Sequence, residues 1–269
     1  MTFYLQLFLK LLKVNIKAQM EYRTDFLVSV IHILLLQLGN LALIWVILAK
    51  FQTINGWGFG EIAFLLGLRL LSHGLFVVFN VEILWGLKSY IIDGEFDRFL
   101  LKPVNPLMLL IGNKVELRGL TDFVSGIVIL AIATSLLDLQ WTFTKLAVLV
   151  AVILGSILIE MAVYLAASSA SFWILNLEAL NSIVFQFHEQ YILYPVSIYG
   201  RPIQYVLTFV IPFAFINFYP SLYFLNKTSG GLFHPVFAYL TPLVGILSFT
   251  LSYVFVWNKG LLAYQSAGS

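Results

Sequence analysis

Apolar stretches of about twenty residues recur along the chain, and they constrain its fold more than any other feature. The clearest of them, residues 146–172, carries Glu160 as its only charged residue. Since an α-helix rises about 1.5 Å per residue, about 20 apolar residues span the hydrocarbon core of a bilayer. Hydrophobic residues make up 61% of the 269 residues and charged residues only 10%, against about 25% charged in soluble domains. We therefore predict an all-α membrane protein, which excludes a cytosolic globular enzyme, a disordered scaffold and a small secreted domain.

Six transmembrane helices are predicted, preceded by an amphipathic helix that lies in the membrane interface. The interfacial helix covers residues 1–24, because Gln6, Lys10, Lys13 and Lys17 recur at helical spacing and share one face. A signal peptide is disfavoured, because its basic residues would precede the apolar run rather than follow it. The predicted spans cover residues 26–48, 59–81, 120–137, 146–172, 178–199 and 237–257.

The segment before the last span allows two topologies. Residues 178–199 are moderately apolar, whereas 203–225 is more apolar but is interrupted by Pro212 and Pro220. If both stretches cross the membrane, the chain has seven spans and its termini lie on opposite sides. If only one crosses, there are six and the termini share a side. The prolines favour a re-entrant hairpin at 203–225, which survives at membrane depth only where protein or a wet cavity covers its backbone.

The distribution of positive charge predicts which side each loop faces. With the N-terminus inside, ten of the 15 Lys and Arg residues fall on the inner side. Short cytoplasmic loops carry such an excess in membrane proteins. Lys259, which follows the last span, places the C-terminus inside as well and so favours six spans. The sequence thus predicts a multi-pass protein of the cytoplasmic (inner) membrane, with both termini and the loop 82–119 in the cytoplasm.

The sequence lacks the short motifs that identify nucleotide-binding, catalytic and metal sites. There is no cysteine, so disulfides and thiolate catalysis are excluded. There is no G-x-x-x-x-G-K-[ST] loop for nucleotide phosphates and no G-x-S-x-G elbow. The four histidines show no metal-ligand spacing. We expect a chain that is not itself an enzyme, binds no cofactor and does not contact nucleic acid, so any ATP it uses must be bound by a partner.

The loop between the second and third spans holds the most informative motif, DGEFDRFLLKPVNP at 93–106. Taken alone, this stretch is equally compatible with a short helix that docks on another protein and with a solvated loop. Two later motifs accompany it, YPVSIYGRP at 194–202 and IPFAFINFYP at 211–220. In combination they resemble the permease subunits of type-2 ATP-binding-cassette exporters, in particular a branch long catalogued as a family of unknown function. The resemblance covers nearly the whole chain.

This resemblance implies partners and a coupling site. Such permeases work as homo- or heterodimers in the lipid bilayer, together with two cytosolic ATPase subunits that bind ATP and Mg. The loop between spans two and three carries the helix that fits a groove on the ATPase. By carry-over, Phe96, Phe99 and Leu100 are expected to be apolar anchors, with Asp97 and Arg98 as polar partners. The full predicted contact set is Asp93, Gly94, Glu95, Phe96, Asp97, Arg98, Phe99, Leu100 and Lys102.

Ionisable residues inside the predicted spans form a second candidate site, because such residues are costly in a bilayer and face protein or water. They are Glu61, Arg69, His73, Asp122, Glu160, His188 and Glu189. Two interpretations stay open, a polar lining of the transport path and internal pairing that holds the bundle together. The second interpretation pairs Arg69 with Glu160 or Glu189, and Asp122 with Arg118. The alternative functions are an intramembrane lipid-modifying enzyme and a carrier or channel that needs no ATP.

Overall fold

The structure is a computed structural model that describes residues 2–21, 23–174, 178–228 and 234–265. Within these ranges the backbone is helical, with no strand beyond an isolated bridge between Ile54 and Trp57. The all-α prediction is therefore confirmed.

The helices follow one another with short connections. The first three are long: α1 (Thr2–Glu21), α2 (Arg23–Phe51) and α3 (Phe59–Val81). After α3 come a π-helical turn (Glu82–Gly86) and three short helices, α4 (Leu87–Ile92), α5 (Asp97–Leu100) and α6 (Pro106–Asn113). Next are α7 (Gly119–Leu136), α8 (Phe143–Ser169) and α9 (Glu178–Gln186), which continues as a π-helical segment (Phe187–Tyr191). The last four helices are α10 (Arg201–Tyr205), α11 (Phe218–Phe224), α12 (Thr241–Leu251) and α13 (Asn258–Ala263).

In the described ranges, five helical segments are long and apolar enough to cross a membrane. They are Arg23–Phe51, Phe59–Val81, Gly119–Leu136, Phe143–Phe172 and Pro235–Ala263. They coincide with five of the six predicted spans. A helix also forms over Thr2–Glu21, and its position in the membrane interface stays a prediction.

The predicted span 178–199 is not one continuous helix. Nine residues of α9 and five π-helical residues end at Tyr191, and together they reach only about 21 Å. The chain then bends before Pro195, which lacks an amide donor and keeps its predecessor out of the helical region. The prediction relied on moderate hydropathy, and it therefore placed the end of this helix eight residues beyond its end in the structure.

The predicted hairpin at 203–225 is a pair of helical segments, Arg201–Val210 and Phe213–Phe224, bent by 80°. Such a shape fits either a broken span or a re-entrant loop, and the re-entrant assignment stays a prediction. Its second arm is buried, since Phe213, Phe218, Leu222 and Phe224 are all inaccessible to solvent. Protein thus covers the irregular backbone, which is the condition under which it is tolerated at membrane depth.

The core centres on α3, which packs closely against α7. Gly67 and Gly74 lie two turns apart on α3, and Gly119 and Gly126 lie two turns apart on α7. A side chain added at Gly74 would overlap the backbone of Gly119 and Phe123. Small residues that let two backbones approach this closely are typical of membrane helix pairs.

This close approach makes Gly74→Ala a test of the packing. The added methyl group would force α3 and α7 apart, and such overpacking costs about 1–3 kcal/mol of stability. Gly39→Ala on α2 is the matched control, because no atom lies within 4 Å of the added carbon. Thermal unfolding of the purified chain should show a lower midpoint for Gly74→Ala only. Equal midpoints for the two variants would contradict the packing.

Candidate functional site

Five ionisable side chains from three separate segments meet in the interior of the helix bundle. Helix α3 supplies Arg69 and His73, which lie one turn apart on the same face. Helix α8 supplies Glu160, and the π-helical segment after α9 supplies His188 and Glu189. We call these five residues the buried charge cluster. Arg69 is 1% exposed, while Glu160 and His188 are fully buried.

The contacts form a continuous chain across the three segments. Nη2 of Arg69 lies 2.5 Å from Oε1 of Glu189, and Nδ1 of His188 lies 3.2 Å from the same oxygen. On its other side, Nε2 of His188 lies 3.5 Å from Oε2 of Glu160. Nδ1 of His73 lies 2.8 Å from that Glu160 oxygen. Each carboxylate therefore has a cationic or imidazole neighbour, as a charge buried in an apolar bundle requires.

Of the two partners that the sequence offered Arg69, the structure brings Glu189 to it. Asp122 behaves differently from the prediction, because its Oδ1 accepts a hydrogen bond of 2.9 Å from Gln37 of α2. Arg118 turns instead to Glu116, with donor–acceptor distances of 2.8 and 2.7 Å. The predicted Arg118–Asp122 pair is therefore wrong, since a fork-shaped guanidinium matches the nearer carboxylate of Glu116 on both oxygens.

Glu116 lies in the loop before α7, outside the spans. Its ion pair with Arg118 determines its protonation state. Burial would raise the pKa of Glu116, but the hydrogen bonds and charge of Arg118 outweigh burial and lower that pKa. The pair therefore stays ionised near neutral pH and fixes the start of α7.

Glu61 does not join the buried charge cluster. Its Oε2 accepts a hydrogen bond of 2.8 Å from the amide of Gly58 at the start of α3. The same oxygen lies 2.6 Å from Nζ of Lys227. The sequence grouped Glu61 with Arg69 and His73 as ionisable residues of span two, but its side chain caps its own helix and ties it to the loop after α11.

A cavity of about 400 Å³ opens beside the cluster, between α2, α3, α7 and α8. Its wall includes His73, Asp122 and Tyr164, with Trp85 and Phe185 on the apolar side. The hydroxyl of Tyr164 is buried and has no hydrogen-bond partner among the described residues. Sequence reasoning missed Gln37 and Tyr164, although Tyr164 lies one turn from Glu160 on α8 and could have been found by that spacing.

The loop between α3 and α7 is the second candidate site, and it is firmly packed. Gly94 has a φ of 72°, a left-handed conformation that favours glycine, and it turns the chain from α4 into α5. The ring of Phe96 is fully buried, with centroids 5.4 Å from Phe172, 6.1 Å from Trp257 and 5.3 Å from Tyr264.

The burial of Phe96 bears on the predicted contact with the ATPase. Phe96 and Phe99 are 0% and 2% exposed, so in this structure their rings pack inside the chain, and their docking on another protein stays a prediction. Leu100 is 42% exposed and its neighbour Leu101 is 85% exposed. The sequence analysis did not single out Leu101.

Charged residues surround these two leucines. Asp93, Glu95, Arg98 and Lys102 are exposed, while Gly94 and Asp97 are half-buried. The guanidinium of Arg98 lies 4.7 Å from the centre of the Tyr90 ring and its Nη1 lies 3.3 Å from Glu95. The loop thus presents an apolar tip with a charged rim, held in place by the buried rings beneath it.

A bundle of apolar helices, five segments of which are long enough to cross a membrane, defines a multi-pass membrane protein. The family model described as ABC-2 family transporter protein matches residues 34–268. The chain therefore belongs to this family, and it is the membrane permease component of an ABC transporter. No curated protein and no solved structure matches it. Permeases of this family generally work with an ATP-binding-cassette ATPase, which favours transport over the enzyme and the ATP-independent carrier.

Proposed function

We propose that this chain forms the translocation path of an ATP-driven exporter, as a homo- or heterodimer with two cytosolic ATPase subunits. ATP and Mg are bound by those partners, and this chain holds neither. The observation that carries the proposal is the exposed tip of the loop between α3 and α7, together with membership of the family. The cytoplasmic inner membrane and the cytoplasmic position of both termini belong to the same proposal and rest on the charge distribution.

The surface proposed to meet the ATPase is centred on Leu100 and Leu101, which we call the leucine tip. The two leucines are adjacent and exposed, and an exposed apolar patch that is rimmed by polar residues is typical of an interaction site. The rim of Arg98, Lys102 and Glu95 around the leucine tip matches the usual arrangement of protein interfaces, in which an apolar centre is ringed by polar side chains. An anchor of this kind contributes about 2 kcal/mol or more when it fills a pocket.

Motion of the ATPases would reach the membrane through the packed rings under the tip. Phe96 contacts Phe172 at the end of α8 and Trp257 in the last span. The same loop joins α3 directly to α7, whose backbones are in close contact at Gly74 and Gly119. A push on the leucine tip is therefore transmitted to α3, α7 and α8 together, rather than absorbed by a soft loop.

The cargo we propose is amphipathic or lipid-like. The cavity beside α3 has aromatic walls at Trp85 and Phe185 and polar side chains that include His32, Arg118 and Asp122. A lining that combines apolar walls with polar groups suits a molecule that has both kinds of surface.

Leu101→Asp tests the coupling surface. A carboxylate at the centre of the interface would be desolvated without a partner, so binding of the ATPase should weaken by about 2 kcal/mol or more, roughly 30-fold. The measurement is affinity purification in mild detergent, followed by mass spectrometry of the proteins that co-elute. We expect a P-loop ATPase with the wild type and its loss with Leu101→Asp.

Leu262→Asp is the control, because Leu262 is 89% exposed and lies outside the coupling loop. This variant should retain the ATPase. If Leu101→Asp retains it too, the leucine tip is not the contact. If the wild type yields no ATPase in several mild detergents, and ATP hydrolysis never follows the chain, the exporter function itself is refuted.

A further inference from the structure

We propose that the buried charge cluster is a binding site for one divalent ion of the zinc type, held by His73, His188 and Glu160. The site is independent of the coupling loop, and the inference does not rest on the proposed exporter function. In the described residues, one ligand atom each of His73, His188 and Glu189 lie within 4.8 Å of one another. Glu160 is not a member of that group, and it is proposed as the carboxylate ligand in place of Glu189 because one of its oxygens lies beside both imidazoles.

The two imidazoles converge on a single carboxylate. Nδ1 of His73 and Nε2 of His188 lie 2.8 and 3.5 Å from the same oxygen of Glu160. Around a tetrahedral zinc ion with bonds of about 2.0 Å, neighbouring ligand atoms are separated by about 3.3 Å. The two imidazole–carboxylate separations lie on either side of that value, and the ring centroids of the two imidazoles are 4.4 Å apart. Two imidazoles and one carboxylate with an open position form a familiar ligand set for zinc.

Two polar atoms of the proposed site lack a hydrogen bond. Nε2 of His188, a proposed ligand atom, and Oε1, the second oxygen of the Glu160 carboxylate, are buried and make no hydrogen bond to any described residue. A buried polar atom without a hydrogen bond costs free energy. Coordination of a cation would satisfy the imidazole nitrogen directly and would give the carboxylate a second bond.

A second set of residues orients the ligands. Nδ1 of His188 faces Oε1 of Glu189 at 3.2 Å, and Glu189 is itself held by Arg69 at 2.5 Å. Donation from Nδ1–H to this carboxylate would leave the Nε2 lone pair of His188 directed at Glu160. Metal-bound histidines almost always have such a partner on the nitrogen away from the metal. Arg69 also explains why Glu189 serves as the positioning residue and Glu160 as the ligand.

Charge balance favours a bound cation. With neutral imidazoles, the buried charge cluster carries one positive charge, on Arg69, and two negative charges, on Glu160 and Glu189. Asp122 lies on the wall of the adjoining cavity and accepts a hydrogen bond from Gln37. The cluster thus retains one uncompensated negative charge, which is costly in an apolar bundle and which a bound cation would offset. The cavity of about 400 Å³ that His73 and Tyr164 line supplies a path to the site, and the Tyr164 hydroxyl faces the polar region without a partner among the described residues.

The test measures metal binding by the full chain. The protein is purified through a tag that contains no histidine, and any subunits that co-elute with it are kept in the sample. The protein is stripped with a chelator and loaded with Zn²⁺ or Co²⁺. Elemental analysis by mass spectrometry counts the Zn²⁺, and visible absorption of Co²⁺ reports its coordination. We expect one ion per chain in the wild type, and a higher thermal midpoint when Zn²⁺ is present.

His73→Ala and His188→Gln should each abolish the stoichiometric ion, and Glu189→Gln should weaken binding by about 10- to 100-fold. His32→Ala is the control, since His32 lines the same cavity but is not a proposed ligand, and it should bind normally. His73 is the least buried ligand, so its variant is the one best able to fold. A folded wild type without a stoichiometric ion overturns the proposal and leaves protonation of an imidazole as the source of charge balance. Unchanged binding in both histidine variants overturns it equally.

Discussion

Arg69→Ala is expected to cause one of the two largest losses of stability among the substitutions proposed for this protein. Removing the guanidinium takes from Glu189 its partner at 2.5 Å and leaves it only His188 at 3.2 Å. Breaking a fully buried ion pair from one side costs about 3–5 kcal/mol, and because the Glu189 side chain is 34% exposed, we expect a loss of stability towards the lower end of that range. The thermal midpoint of the purified chain in detergent should fall sharply, with loss of the monodisperse species.

Two control variants distinguish the loss of this ion pair from the effect of removing any arginine side chain. Arg201→Ala removes an exposed arginine at the start of α10 and should change stability by less than about 0.5 kcal/mol. The double variant Arg69→Met with Glu189→Gln removes both charges and should recover part of the loss, since replacing a whole buried pair is often nearly neutral. A stability of Arg69→Ala close to that of the wild type would contradict the pairing.

Phe96→Ala is expected to produce the second large effect, and it acts on the chain itself rather than on its partner. The ring is fully buried against Phe172, Trp257 and Tyr264. Truncating a buried phenylalanine costs about 3–5 kcal/mol through lost burial and the cavity left behind. Thermal unfolding of the chain without its ATPase should therefore show a large decrease in the midpoint.

Leu101→Ala is the matched control for Phe96→Ala. Leu101 is 85% exposed, so its truncation should leave the stability of the isolated chain unchanged and weaken only the contact with the ATPase. The reverse pattern, a stable Phe96→Ala that has lost the ATPase, would support the sequence-based assignment of Phe96 as a docking anchor.

The spans were predictable because hydropathy over twenty residues is a local property. Five of the predicted segments lie on helices. Errors arise where average hydropathy was used to decide where a helix ends. The helix predicted to reach residue 199 ends at Tyr191, because average hydropathy does not register the bend before Pro195. The bend within 203–225, in contrast, was predictable from Pro212.

The partners of individual side chains were much less predictable, because they come from distant parts of the sequence. Arg69 and His73 were candidates from their place in a span, but their neighbours are Glu189 and Glu160, which the fold brings in from other helices. The four histidines show no metal-ligand spacing in the sequence for the same reason. Phe96 looked exposed because it lies in a charged loop outside the predicted spans. Only the arrival of residues 172, 257 and 264 buries it.

The central claim is that the leucine tip is the contact with the ATPase, and cross-linking tests it most directly. The chain contains no cysteine, so Leu101→Cys and Leu262→Cys each introduce a single reactive thiol. A thiol-to-amine cross-linker applied to membranes, followed by mass spectrometry, should join position 101 to a P-loop ATPase and leave position 262 unlinked to it. An ATPase linked at 262 but never at 101 would contradict the proposed coupling surface.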